Sequence, residues 1–413
     1  LKKINIRTAF YIAKTYFRSK RKKNIITLIT RVSITGIACI TCALVVLLSA
    51  FNGMEQLIDQ IYSEFDPSLV ARSSKGKVFY EREIDWAALR KIKGISSISS
   101  GIEALAVVEY NRPVVNEKTF RVKRTNAKLF AVDSSFLDVI AIHDNYKGPP
   151  PSLGNIARPE GIIGISLLDK LEAPLDGNFK LFLPKRNISV RAKQPFFTKK
   201  LNLSSVLFYR NKEVNEETLI WPINAYRKLV KDTMGRLTNI YFSALPKTNL
   251  IQLKNEVSNF LGPGYIVKTY KEKNELIFKT SKSEKAILTL ILIFVFVLAS
   301  FNLVSSLTML FIEKKDNFLA FKSMGLSAKA LFNVFFYQGL MICFFGICVG
   351  VAVGYLICIL QLSFGFLHIA PGQPYPIGFS LTDFLTIIGS VSILSLLFSY
   401  ITVKLLLKRS SEI

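Results

Sequence analysis

Residues that bind metals or perform covalent catalysis are scarce in this sequence. Its 413 residues include only two histidines, His143 and His368, which are far apart in the chain. The motifs G-x-x-x-x-G-K-[ST], H-E-x-x-H and G-x-S-x-G do not occur. A nucleotide-binding P-loop, a zinc-protease site and a His-based catalytic triad are therefore poorly supported. We predict no catalytic residue, no metal site and no cofactor in this chain.

The cysteines exclude a disulfide framework outside the membrane. All five lie in long apolar runs, and the segment between the first and second runs has none: Cys39, Cys42, Cys343, Cys348 and Cys358. That segment must be stabilised by its own hydrophobic core, which a length of about 230 residues can supply.

The sequence does contain long apolar runs. Half of its residues are hydrophobic and 20% are charged, a balance typical of a membrane protein with a large aqueous part. Four runs are long enough to cross roughly 30 Å of hydrocarbon as helices: residues 32–54, 286–312, 331–360 and 381–407. We predict an α+β membrane protein with four transmembrane helices. A large mixed α/β periplasmic domain, residues 67–280, is inserted between helices one and two.

Acidic residues are missing from the N-terminal segment, which indicates the orientation. Residues 1–31 carry ten Lys or Arg and no Asp or Glu, so this end is predicted to be cytoplasmic, with an amphipathic helix in the membrane interface. Four crossings place residues 313–330, with four Lys, inside and residues 361–380, without Lys or Arg, outside. The tail, residues 408–413, returns inside, and the first run is interpreted as a retained signal anchor.

The net charge of +25 does not by itself indicate a nucleic-acid partner, and we predict none. Residues 55–285 hold 37 basic and 25 acidic residues that are spread along the segment. They suggest a solvated surface, with attraction to acidic partners as the alternative. The basic flanks of the helices are explained by topology and by contact with anionic lipids.

Two patterns inside the predicted helices concern packing. Gly346, Gly350 and Gly354 recur every four residues, which predicts a smooth groove against another helix of this or another chain. The second run carries a polar patch that either hydrogen-bonds between helices or marks a polar pathway: Ser300, Asn302, Ser305 and Ser306.

A stripe of apolar residues extends the first helix beyond the lipid, to residue 66. Phe51, Met54, Ile58 and Ile61 follow a helical spacing of three and four, and Asp66-Pro67 ends the pattern. The stripe either packs on the periplasmic domain or lines a route out of the bilayer.

The segment between the second and third runs resembles an ABC-permease pattern. In "FNLVSSLTMLFIEKKDNFLAFKSMGLSAKALFNVFFYQG", residues 301–339, a membrane helix ends at a Glu-Lys pair and a short helix closed by Gly leads into the next one. The resemblance implies a coupling helix that docks into a separate ATPase, and the alternative is an interfacial hairpin. The residues assigned to coupling are Glu313, Lys314, Asn317, Phe318, Phe321, Met324 and Gly325.

The N-terminal half narrows the resemblance. "FYIAKTYFRSK" at 10–20, the exit motif "SAFNG" at 49–53 and "EFDPSL" at 64–69 resemble the LolC/LolE lipoprotein-releasing permeases of the MacB/FtsX-like (type VII) superfamily. "GIIGISLLDKL" at 161–171 is similar to that family's strand and helix in the periplasmic domain. The resemblance departs at "YITVKLLLKRSSEI", which is shorter than the usual family ending.

The resemblance implies a complex in the inner membrane of a Gram-negative bacterium. Two permeases, either two copies or two paralogues, work with a LolD-like ATPase that binds ATP and Mg. The complex extracts triacylated lipoproteins and passes them to a LolA-like periplasmic carrier. The alternatives are a mechanotransmission permease that drives a periplasmic pump or cell-wall hydrolase, and a structural anchor without an ATPase.

Two sets of residues follow by analogy with that family. The lipid-contacting wall is assigned to helices one and two: Phe51, Met54, Ile58, Ile61, Ile287, Ile291, Phe294 and Leu298. Pro195, Phe196 and Phe197, among basic residues, form a possible carrier-docking loop, and a buried strand edge is the alternative.

Overall fold

A computed structural model describes residues 6–17, 25–113, 120–155, 157–185, 194–313, 323 and 328–411. The chain divides into two compact units. Leu1–Leu57 and Phe278–Ile413 form the helical unit, and Ile58–Ile277 form the α/β unit.

The helices differ greatly in length between the units. In chain order they are α1 (Ile6–Phe17), α2 (Ile25–Ser63), α3 (Trp86–Leu89), α4 (Phe136–Val139), α5 (Ile165–Lys170), α6 (Lys212–Glu217), α7 (Ile223–Val230), α8 (Leu250–Leu261), α9 (Tyr270–Lys273), α10 (Glu275–Glu313), α11 (Ala328–Phe364) and α12 (Leu381–Ser411). The strands are β1 (Leu69–Ser73), β2 (Phe79–Tyr80), β3 (Ile95–Pro113), β4 (Phe120–Val132), β5 (Tyr146–Lys147), β6 (Glu160–Gly164), β7 (Phe179–Pro184), β8 (Phe196–Leu207), β9 (Thr218–Pro222), β10 (Arg236–Leu237), β11 (Asn239–Ala244), β12 (Tyr265–Thr269), β13 (His368–Ala370) and β14 (Gln373–Pro374).

Four of these helices are long and apolar enough to cross a bilayer. Among the described residues, the candidate spans are Thr30–Ser63, Glu275–Glu313, Phe332–Phe364 and Leu381–Leu406. The prediction of a mixed α/β chain with four membrane-length helices is confirmed. Each helix extends past the apolar run that predicted it, because a helix continues wherever amphipathic or polar sequence still supports its backbone hydrogen bonds.

The α/β unit is built on one large mixed sheet. Its strand order is β12-β1-β11-β3-β4-β9-β6-β8-β5, and β7 pairs with both β3 and β8. Most neighbours are antiparallel, whereas β4–β9 and β6–β8 are parallel. "GIIGISLLDKL" forms β6 and α5, and "FKLFLP" forms β7, whose alternate residues Phe179, Leu181 and Leu183 are buried.

Buried apolar side chains form the core of this unit. Trp221 and Phe179 lie in one cluster, Phe136 and Tyr241 in a second, and Phe242 in a third. Phe65, the residue that continues the helical stripe, packs edge-on against Phe130 and Tyr209 of the second cluster. The unit therefore has a large hydrophobic core of its own.

One buried polar network lies within the sheet. The Glu103 carboxylate accepts hydrogen bonds from Asn239 Nδ2 at 2.5 Å and from the Tyr241 hydroxyl at 3.1 Å, and Arg72 approaches it at 3.2 Å. Burial, followed by the negative charge of Glu103, raises the pKa of Tyr241 well above its usual value. Tyr241 is therefore held as a neutral hydrogen-bond donor.

Candidate functional site

The exit motif "SAFNG" of α2 makes close contacts with the segment that leads into α12. The Ser49 carbonyl accepts a hydrogen bond from the Gly378 N–H at 2.9 Å. A Cβ on Gly53 would collide with the carbonyl of Pro376, so only glycine allows this approach. The motif thus fastens the segment that leads into α12 onto α2.

Asn52 of the same motif takes part in a charged cluster that joins three helices. Lys285 Nζ of α10 donates to Asn52 Oδ1 at 2.7 Å and pairs with Asp383 Oδ2 of α12 at 2.9 Å. The Lys285 and Asp383 side chains are 26% and 19% exposed. This arrangement neutralises two charges at the ends of apolar helices, where an unpaired charge is costly.

This cluster was not predicted from the sequence, although a signal was present. Asp383 is the single charged residue between 381 and 403, inside the fourth apolar run. A carboxylate in that position requires a cationic partner, and Lys285 directly precedes the second run.

The three glycines at fourfold spacing face α2 of the same chain. A Cβ on Gly346 would lie 2.8 Å from Ile37 Cβ, one on Gly350 would lie 2.5 Å from the Ala38 carbonyl oxygen, and one on Gly354 would lie 2.8 Å from Val45 Cβ. The absence of side chains at these positions allows α2 and α11 to approach closely.

The apolar face assigned to lipid contact on α10 is open. Ile287, Ile291, Phe294 and Leu298 are between 46% and 60% exposed in this chain. Exposed aliphatic and aromatic residues on a span are suited to contact with acyl chains or with another membrane helix.

The part of that wall assigned to helix one belongs to two units. Phe51 and Met54 are half-buried in the helical unit, whereas Ile58 and Ile61 are half-buried and belong to the α/β unit. The eight residues therefore do not form one site within a single unit.

The polar patch of α10 is only partly described. Ser300 is buried and donates to the Phe296 carbonyl of its own helix at 2.9 Å, so its described bond does not run between helices. Ser306 is buried and Ser305 is exposed, while the Asn302 side chain lies outside the described residues.

The coupling segment is also mostly outside the described residues. Glu313, the last residue of α10, is exposed. The other six assigned positions fall in undescribed parts of the chain: Lys314, Asn317, Phe318, Phe321, Met324 and Gly325.

The possible carrier-docking residues lie at the base of a hairpin. Phe196 pairs with Pro184 and Phe197 with Leu183, in the antiparallel β7–β8 ladder. Phe196 and Pro195 are exposed and Phe197 is half-buried, with Lys185 Nζ 5.2 Å from the Phe197 ring centre. Residues 186–193, between the strands, lie outside the described part of the chain.

Below this hairpin base is a cavity with basic and apolar walls. It has a volume of about 410 Å³, and Lys185, Lys231 and Arg236 line it together with Phe197. Asp232 partly neutralises this charge, because its carboxylate Oδ1 lies 3.8 Å from Nε of the Arg236 guanidinium. The local surface is basic, which suits an acidic partner.

The sequence is similar to that of other proteins over most of its length. Residues 289–411 match the family described as FtsX-like permease C-terminal. The lipoprotein-releasing system transmembrane protein LolC of Neisseria meningitidis serogroup B is 25% identical over 84% of this chain and 81% of its own length. LolC of Buchnera aphidicola is 22% identical over 86% of this chain and 84% of its own length.

A weaker likeness exists to a solved structure. The periplasmic region of MacB from Actinobacillus actinomycetemcomitans superposes with a TM-score of 0.37 and 11% identity, and covers 54% of this chain and 97% of that one. The N-terminal motifs and the coupling segment predicted a resemblance to the LolC/LolE permeases. The sequence matches confirm that resemblance. Over most of its length the chain is therefore similar to LolC, its C-terminal part matches the FtsX-like permease family, and four of its helices are long and apolar enough to cross a membrane.

Proposed function

We propose that this chain is the membrane subunit of an ABC transporter that extracts lipoproteins from the inner membrane and passes them to a periplasmic carrier. The observation that carries the proposal is its similarity, over more than four fifths of its length, to proteins named as transmembrane components of a lipoprotein-releasing system. In this proposal the α/β unit is periplasmic and lies between spans one and two.

Extraction of a lipoprotein from a bilayer requires free energy, which a separate ATPase would supply. Each methylene that leaves the bilayer costs about 0.8 kcal/mol, so a lipoprotein with three acyl chains does not leave unaided at a useful rate. Because the sequence contains no P-loop, we assign ATP and Mg to a partner ATPase. The open apolar face of α10, with Ile287, Ile291, Phe294 and Leu298, is the surface that we assign to the acyl chains.

Purification of the tagged chain in mild detergent, followed by mass spectrometry of bound proteins and lipids, tests the proposal. We expect an ABC ATPase, a second copy or a paralogue of the permease, and triacylated lipoproteins. An ATPase that arrives with a pump channel or a cell-wall hydrolase, and without lipidated cargo, would favour mechanotransmission instead. The match to the FtsX-like permease C-terminal family is compatible with that second function.

Coupling to the ATPase is tested at residues 313–325. Replacing both Phe318 and Phe321 with Asp should abolish co-purification of the ATPase, because charged side chains cannot fill an apolar groove on the partner. Replacing both with Leu keeps the apolar character and should retain the ATPase. Retention of the ATPase by the Asp variant would contradict the assignment of this segment.

A further inference from the structure

The segment between α11 and α12 forms an apolar hairpin that is rigidly held at its base. β13 and β14 pair within it, and the Tyr375 N–H donates to the Leu367 carbonyl at 2.7 Å. Gln361, buried at the end of α11, braces the same turn: its Nε2 donates to the Leu367 carbonyl at 2.8 Å, and its Oε1 accepts from the Leu367 N–H at 3.0 Å.

The side chains of this hairpin are unusually apolar for a loop. Phe364, Phe366 and Leu367 are each 67% or 68% exposed, and Phe364 stacks on Phe366 at 5.5 Å. The segment 361–380 contains no Lys, Arg, Asp or Glu. Transfer of these side chains from water to lipid is favourable by about 25 cal/mol for each Å² of apolar surface. The hairpin is therefore more stable in contact with lipid than in water.

Under the hairpin lies a groove of about 340 Å³. Val46 and Ala50 of α2 form one wall, Ile357 and Cys358 of α11 form the other, and Phe366 and Leu367 form the roof. Three lining residues carry polar side-chain atoms, Gln361, Tyr375 and Cys358, and the others are aliphatic or phenylalanine. Both polar groups of Gln361 are already bonded to the hairpin backbone, and Cys358 is fully buried. A polar ligand would therefore lose its hydrogen bonds to water and find little in exchange.

The groove also continues the lipid-facing surface of α11. Val353, Leu356, Ile357 and Leu360 are exposed along the span that ends at Phe364. An acyl chain lying along this helix reaches the groove without crossing water. The close contact of the "SAFNG" motif with Pro376 and Gly378 holds the roof in place over it.

We propose that this groove binds the acyl chain of a membrane phospholipid from the leaflet on the hairpin side. The groove would be a lipid site separate from the α10 face assigned to cargo, and the proposal does not depend on lipoprotein release. The bound acyl chain would contact α2, α11 and the hairpin at the same time and so help to hold them together.

Photo-crosslinking of the full chain in vesicles tests this site. The vesicles contain phosphatidylethanolamine, phosphatidylglycerol and a trace of phosphatidylethanolamine with a diazirine near the end of one acyl chain. They contain no lipoprotein, so labelling reports phospholipid alone. After illumination and proteolysis, mass spectrometry should find several-fold more adduct at Ile357 and Leu360, two exposed residues that line the groove, than at Val349, which is exposed on the same helix outside it.

A matched pair of variants fills the groove or leaves it open. Ala50→Phe places a ring in the groove and should lower the Ile357 and Leu360 adducts several-fold, whereas Ala352→Phe, on the exposed side of α11, should not change them. Equal labelling inside and outside the groove would overturn the proposal, as would unlabelled groove residues beside labelled Val349. The ratio of adducts inside the groove to adducts at Val349 in the wild-type protein tests the proposal even if Ala50→Phe does not fold.

Discussion

At the scale of single residues, glycines with similar sequence surroundings have very different neighbours. Gly350 faces the backbone of α2, whereas a Cβ on Gly389 of α12 would have no heavy atom within 4 Å. The contribution of a glycine to helix packing in a membrane therefore depends on which atoms lie opposite to it.

We predict that Gly350→Ala destabilises the helical unit. The added Cβ would lie 2.5 Å from the Ala38 carbonyl oxygen, and overpacking of this kind costs about 1–3 kcal/mol. Gly389→Ala makes the same chemical change in open space and should be neutral or slightly stabilising, because Ala has the higher helix propensity. The monodisperse fraction after heating, measured by size-exclusion chromatography, distinguishes them; equal losses for both variants would contradict the packing argument.

Tyr241 gives a prediction about alkaline pH. Its pKa is raised in the folded chain by burial and by Glu103, so the folded state retains the phenolic proton at a pH where the unfolded state releases it. The contribution of Tyr241 to stability is complete below about pH 10, the pKa of an unperturbed tyrosine, and is lost as pH rises above that value.

The variant Tyr241→Phe isolates that effect. Its stability should fall less steeply above about pH 10 than that of the wild type, even though the loss of the hydroxyl lowers its stability at neutral pH. Denaturant unfolding at a series of pH values measures both slopes. Parallel slopes would show that Tyr241 ionises freely in the folded protein.

At the scale of elements, the Lys285–Asp383 pair ties α10 to α12. Asp383→Asn leaves the Lys285 ammonium with the Asn52 oxygen but without a countercharge. Loss of one partner of a fully buried pair costs about 3–5 kcal/mol, and the partial exposure of this pair reduces that cost. We predict a clear loss of stability for Asp383→Asn and for Lys285→Met.

The exchange of the two charges is the control for this prediction. Lys285→Asp combined with Asp383→Lys restores opposite charges and should recover part of the stability that either single change removes. Thermal unfolding of the wild type, Lys285→Asp, Asp383→Lys and the double exchange gives the coupling free energy. Additive effects would mean that the pair contributes nothing beyond its separate residues.

The sequence predicted elements much better than it predicted contacts. Runs of apolar residues located all four membrane-length helices, and the fourfold glycine spacing indicated a packing face before its partner was known. For the Lys285–Asp383 pair, the charges inside or beside apolar runs indicated that each needs a partner. The choice of partner depends on tertiary packing, because the two residues are about a hundred positions apart.

The limits for the other site residues have the same origin. The "SAFNG" motif carried the resemblance, but its contacts with Pro376 and Gly378 join residues more than 300 positions apart. The sequence left Phe196 and Phe197 open between a carrier-docking loop and a buried strand edge, and pairing with β7 makes them part of a strand. Charged residues are tolerated on a strand whose alternate side chains face solvent.

At the scale of the whole molecule, the orientation is open to a direct test. In a cysteine-free background, Gln373→Cys in the hairpin should react with a membrane-impermeant maleimide added to the outside of the inner membrane. Ser323→Cys, in the segment between α10 and α11, should react only after the membrane is permeabilised. Both residues are exposed in the chain, so burial does not explain a difference. The reverse pattern would invert the topology derived from the basic flanks.

The sheet order of the α/β unit has a consequence for how the protein is made. β1, the first strand of the unit, has β11 and β12 as its neighbours, about 170 to 200 residues later in the chain. In the proposed topology β1 cannot pair with β11 and β12 until nearly the whole segment has been translocated. Until then its edges remain unpaired. Long-range pairing of this kind is slow, and the cysteine-free segment has no disulfide to hold a partly folded intermediate. In that topology we expect biogenesis to require protection of the unfinished sheet between synthesis of span one and arrival of span two.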